Sequence, residues 1–153
     1  MTDPLEGEVA RRHHMWTSLL DQGGPRGIQP ALLRRLRIYG GARGIWVDKT
    51  TTRTLTRDGV GVTVALLATE GAYPDLLRAD DGTYSYPDTQ IPAWDKAGIA
   101  ATKSAAELAL DVFLVTRSAA EPGLRSVRLA RVIDWDDRAR EFSLSMKAED
   151  GGG

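Results

Sequence analysis

The apolar positions divide the chain into two halves of different period. From Leu5 to Gln22 the residues Leu5, Val9, Met15, Trp16, Leu19 and Leu20 recur at helical spacing, and Gly23-Gly24-Pro25 ends the run. The polar stretch Arg11–His14 interrupts that pattern. A second, short helix is predicted from Gln29 or Pro30 through Arg37, with proline near its first position and Leu32, Leu33 and Leu36 as its apolar members. Beyond residue 38 the pattern becomes strand-like. Ile45-Trp46-Val47 follows a glycine-rich turn. Threonines 50, 51, 52, 54 and 56 favour extended structure across 48–58. Val60–Thr69 reads as a buried strand.

Glu70–Trp94 is polar and aromatic, carries Pro74, Pro87 and Pro92, and reads as a functional loop containing a short strand at Thr83–Tyr86. Asp95–Leu110 is predicted as a helix capped by Asp95, with Ile99, Ala106, Ala109 and Leu110 on its apolar side and Thr102 as the weak member of that face. Val112–Thr116, Leu124–Trp135 and Glu141–Met146 complete the strands, with turns at 119–123 and 136–140. Helices, strands, a crossover helix and further strands predict an α+β fold. Its expected form is a curved mixed β-sheet or partial barrel, with N-terminal helices and one long packed helix. The expected organisation is one domain over 1–150, helical to residue 37 with a sheet core at 38–147, and a linker-like end at 151–153.

Composition narrows the chemistry. The 153 residues include no cysteine and two histidines, which excludes disulfides, thiolate metal sites and histidine-rich ones. No apolar run is long enough for a membrane span, and the N-terminus lacks a signal-peptide pattern, so a cytoplasmic location is the expectation. The net charge of −1 conceals an asymmetry. Residues 26–58 carry eight Arg or Lys against two Asp, a net of +6, whereas 70–95 carry six acids against one Arg, a net of −5. Clustered arginines neutralise phosphates and release counterions. The plainer reading is that the two segments pair across the surface. In the acidic segment Tyr73, Asp75, Asp81, Tyr84, Tyr86 and Trp94 interleave rings with carboxylates. A carboxylate accepts from the cytosine amine, and rings sandwich an unstacked base. The plainer alternative is a loop whose tyrosines pack on the sheet and whose aspartates cap turns.

Two stretches resemble a known module. Ile38-Tyr39-Gly40-Gly41-Ala42-Arg43-Gly44-Ile45-Trp46-Val47-Asp48-Lys49 is similar to a motif in the N-terminal modules of bacterial HNH restriction endonucleases. So is Gly61–Leu67, followed by Tyr73-Pro74-Asp75, Asp81–Pro87 and Asp95–Lys103. More distantly the layout resembles the SET-and-RING-associated (SRA) domain, a neighbour of PUA-like folds. There a buried strand leads into a Tyr- and Asp-rich loop that holds a flipped 5-methylcytosine. In that family an aspartate stands three residues after the first stacking tyrosine; here Leu76 has that position and Asp75 comes one residue earlier.

The resemblance implies a reader of modified cytosine in double-stranded DNA, with no cofactor and no metal, serving a modification-dependent HNH endonuclease. It implies a base pocket from Trp46, Tyr73, Asp75, Asp81, Tyr84, Tyr86 and Trp94. It implies backbone or groove contacts from Arg35, Arg37, Tyr39, Gly40, Gly41, Arg43, Lys49, Arg53 and Lys103. An HNH centre needs a histidine base beside His, Asn or Asp ligands. His13 and His14 are adjacent on a predicted helix and there is no Asn, so no catalytic residue is assigned. Two alternatives stand beside this reading. One is a metal-dependent nuclease using Asp75, Asp81, Asp88 and Asp95 with Lys96 or Lys103. The other is a protein-interaction or homodimerisation module using the N-terminal helices and a Trp135 on an outer strand.

Overall fold

The computed structural model describes residues 3–40, 44–69, 81–88, 90–117 and 120–147. Helix α1 (Pro4–Asp21) begins at Asp3, whose carboxylate accepts from the Leu5 amide at 3.1 Å. Its buried stripe is Glu8, Arg12, Met15, Trp16 and Leu19. The polar interruption in the sequence pattern is therefore part of the packed face. Arg12 and Glu8 form a buried ion pair at 2.7 Å. Arg12 also donates to the carbonyls of Thr63 at 2.8 Å and Asp111 at 2.7 Å. Helix α2 (Pro30–Arg35) stops two residues earlier than predicted, because Arg37 takes a positive φ of 62°.

Strand β1 (Ile45–Val47) is followed by a helical turn, α3 (Lys49–Thr52), and a 3-10 turn (Arg53–Leu55). This corrects the extended reading of the threonine run. Asp48 caps the turn, accepting from the Thr50 amide at 3.1 Å, and the Thr52 hydroxyl donates to the Asp48 carbonyl at 2.7 Å. Local side-chain bonds outweigh the β-preference of threonine here. The next strand, β2 (Thr63–Thr69), begins three residues later than predicted, after Gly61 at φ 93°. Strand β3 (Asp81–Ser85) precedes helix α4 (Pro92–Glu107). Proline at the first position starts α4 three residues early, so Asp95 lies in the first turn and does not cap it. At its other end Ala109 is exposed at φ 53°, not on the apolar face. Ala101, Thr102 and Ala105 form that face. The Thr102 hydroxyl lies 2.7 Å from that of Thr63 and donates to the Gly98 carbonyl at 2.9 Å.

Strands β4 (Asp111–Arg117), β5 (Arg125–Asp136) and β6 (Glu141–Met146) follow. The sheet order is β1-β2-β4-β5-β6-β3, with β2 and β4 parallel and the other pairs antiparallel. This is the expected α+β architecture with a curved, unclosed mixed sheet. The register shifts between Val132 and Asp134, which leaves Ile133 59% exposed and explains the loose alternation in β5. Trp135 is not on an outer strand: β5 lies between β4 and β6, and the indole packs partly buried against the core.

Two cores line the two faces of the sheet. Leu66, Leu114, Val132, Phe142 and Leu144 pack with Tyr84 and Ala105 of α4 on one face. Phe113, Val115, Val127 and Leu129 pack with Trp16 and Leu19 of α1 and Leu33 of α2 on the other. The curl brings the terminal strand β3 back towards β1 and β2. The Tyr84 hydroxyl spans the gap, within 2.6 Å of the Leu67 carbonyl and 3.1 Å of the Gly44 carbonyl. Among the described residues no helix is long and apolar enough to cross a membrane.

Candidate nucleic-acid interface

The curl opens a cavity of about 290 Å³ between β1 and the start of α4. Trp46, Lys49, Trp94, Asp95 and Gly98 line it, with Gly44 and Pro87. Its volume is at the lower end of small-molecule sites, roughly 300 Å³. The Trp94 indole is 46% exposed at the rim. Trp46 is half-buried, and its Nε1 is a buried donor with no acceptor among the described residues. Gly40 sits against the Trp46 ring: a Cβ built there would lie 3.5 Å from the indole. At Gly44 a Cβ would come within 2.8 Å of the Tyr84 hydroxyl. A side chain at 44 would displace the bond that closes the curl.

Of the candidate base-pocket residues, the fold brings Trp94 to this cavity and puts Tyr84 behind it; Trp46 contributes to the lining from β1, but its indole packs against the second core, on the other face of the sheet. Tyr84 is buried, and its hydroxyl reaches the cavity wall at the Gly44 carbonyl. Tyr86 belongs to a separate cluster. Its ring centroid is 4.6 Å from that of Phe142, Arg140 lies 5.5 Å from its centroid, and its hydroxyl donates to Asp137 at 2.7 Å. Burial and the neighbouring Asp137 push the Tyr86 phenol up from its ordinary value, so it is a donor at neutral pH. Lys103 joins this cluster, 2.9 Å from Asp137 and 5.5 Å from the centroid of the Trp135 ring. Hydrogen bonds from Lys103 and Tyr86 hold the Asp137 carboxyl below its ordinary range. Asp81 is exposed at the start of β3 and does not line the cavity. Tyr73, Asp75, Gly41 and Arg43 lie outside the described residues.

The candidate backbone contacts are not gathered in one place. Lys49 is on the cavity rim and Arg53 is exposed one turn further on. Arg37 bonds both Asp48 oxygens, at 2.8 and 2.9 Å. Burial raises the Asp48 carboxyl, but the Arg37 hydrogen bonds and charge, with the Thr50 amide, bring it below its ordinary value. The basic segment thus holds one of its own arginines through its own aspartate. Arg35, the last residue of α2, donates to Gln22 at 3.0 Å. Tyr39 is buried under the second core, and burial pushes its phenol up to about 12 against the pull of Arg125.

With this geometry in place, one solved structure is informative. The crystal structure of Arabidopsis thaliana SUVH6 in complex with SAM matches 78% of this chain with a TM-score of 0.53 and 20% identity. The fold is distantly SRA-like. The chain spans 24% of the SUVH6 chain. Comparison with protein families and with curated proteins finds no match.

Three residues that organise this SRA-like fold escaped the sequence reading. Arg12 was hidden in a polar run, and its only signal was the i, i+4 spacing to Glu8. Asp48 counted as a charge, although an Asp ahead of a Thr run is also a cap signal. Asp137 sits in a charged turn with no pattern of its own, and its partners come from α4 and from the segment after β3.

Proposed function

We propose that this chain is a DNA-binding module that recognises modified cytosine, 5-methylcytosine foremost, in duplex DNA. In this reading the base turns out of the stack, and the module targets a modification-dependent HNH restriction endonuclease without performing catalysis itself. The observation that carries the proposal is the cavity between β1 and α4 on an SRA-like fold, with the Trp94 indole at its rim and Lys49 at its edge. Indole faces stack on any base, and a lysine at the rim meets the phosphate that flanks an extruded nucleotide.

A methyl group contributes about 0.8 kcal/mol on burial, so preference for the methylated duplex is expected to be roughly four-fold. The test is binding to a panel of duplexes carrying cytosine, 5-methylcytosine, 5-hydroxymethylcytosine or 6-methyladenine, over a range of salt. Trp94→Ala, at a rim position, is expected to weaken binding by about 1–3 kcal/mol, as for loss of one stacked base. Equal affinity for methylated and unmethylated duplexes at every salt concentration would remove the proposal.

A further inference from the structure

On the sheet face covered by α1 and α2, the β4–β5 ladder ends with Arg117 directly opposite Arg125. The Arg125 amide and carbonyl both bond to Ile28, at 2.8 and 2.9 Å, on the side away from β4. In an antiparallel ladder both main-chain groups of a residue point to the same side. Arg117 and Arg125 are therefore a non-hydrogen-bonded pair, the arrangement that brings Cα atoms to about 4.5 Å and side chains closest together. Like charges directly opposite are unfavourable. Among the described residues no carboxylate pairs with either arginine. Arg125 is held in place from one side, its Nη1 donating to the carbonyls of Pro122 at 2.8 Å and Leu124 at 3.0 Å. Arg117 and Arg125 both line a concavity of about 210 Å³, together with Arg34 and Tyr39. Burial and the neighbouring Arg117 lower the Arg125 guanidinium from its ordinary value.

We infer that this concavity binds the oxygens of a phosphate group, held by Arg117, Arg125 and Arg34 with the Tyr39 hydroxyl at its floor. A guanidinium fork matches phosphate geometry, and a shared oxyanion turns the repulsion of the paired arginines into attraction to one ligand. The group is either a free phosphate or a phosphodiester of the DNA backbone. The second source rests on the DNA-binding reading above, whereas the first does not.

The experiment uses the whole chain in two arms, with Arg117→Gln as the variant. In buffer free of phosphate and sulfate, Arg117→Gln is expected to melt no lower than the wild type, because it relieves the repulsion. Inorganic phosphate is then expected to raise the wild-type Tm and leave the variant unmoved. In the second arm, the salt dependence of duplex binding is expected to lose about 0.9 from its exponent in the variant, one phosphate contact. The ratio of modified to unmodified affinity is expected to stay unchanged. A response confined to inorganic phosphate identifies a free-phosphate site, and a response in the duplex arm identifies the backbone. Two results would overturn the inference: no difference between wild type and variant in either arm, or a lower Tm for Arg117→Gln in phosphate-free buffer, which would mean that Arg117 has a stabilising partner within the chain.

Discussion

Replacing Tyr84 with Phe separates two roles that one side chain could have. The ring stays and only the hydroxyl goes, so stacking and packing are preserved while the bond across the curl is lost. That hydroxyl lies 2.6 Å from the Leu67 carbonyl and 3.1 Å from the Gly44 carbonyl. The two acceptors are not equivalent. The Gly44 carbonyl also accepts from the Leu67 amide at 2.6 Å and keeps a partner in the variant. The Leu67 carbonyl points to the same side as its amide, just past the paired residues of β1, and loses its hydroxyl donor. The expected cost is one lost hydrogen bond plus one unpaired, partly buried acceptor, about 1–3 kcal/mol in total. For a chain of this size that lowers Tm by about 2–4 °C per kcal/mol. Urea unfolding should show a lower midpoint at constant slope, and amide exchange should quicken in β1 and β2 before the rest of the sheet. A Tyr84→Phe chain that unfolds within about 0.5 kcal/mol of the wild type, with exchange in β1 unchanged, would refute the argument that this hydroxyl joins the ends of the sheet; the threshold is the range of ordinary surface substitutions.

Two further perturbations probe the frame around the site. Arg12→Met should cost about 3–5 kcal/mol by equilibrium unfolding, since it strips donors from the Thr63 and Asp111 carbonyls and leaves Glu8 buried with Arg11 alone, and Glu8→Leu in the same chain should recover part of the loss. Tyr39 has its phenol raised to about 12 from an ordinary value near ~10, so its contribution is fully present below pH ~10 and is lost as pH rises towards 12; Tyr39→Phe should flatten the fall of Tm measured across that window.

Among the described residues the sequence pattern located each strand and both long helices because each carries a sustained period: Glu141–Met146 alternates in burial along its whole length, and Val112–Thr116 is buried throughout. Boundaries were misplaced where one backbone or cap interaction decided them. Pro92 started α4 ahead of Asp95, and Asp48 wound a threonine run into a turn. The site was legible in part. Trp46 and Lys49 lie within one motif, and Trp94 joins them because α4 starts early enough to bring it over β1. The roles of Tyr84 and Tyr86 were not legible, because each hydroxyl's partner comes from a distant segment: Leu67 and Gly44 for one, Asp137 for the other. Nor was the Arg117–Arg125 pair, although both sit four residues from Glu121 in a hairpin, which a count outward from the turn would have found.

The anchoring of α1 also sets an order of assembly. Residue 12 is made early, yet the carbonyls that receive its guanidinium belong to residues 51 and 99 positions further along. A helix that buries an arginine has no reason to dock before those acceptors exist, since an unsatisfied charge costs several kcal/mol. During synthesis α1 must therefore wait, undocked, until the crossover through α4 has delivered β4 alongside β2, so a helix made before the sheet settles after it.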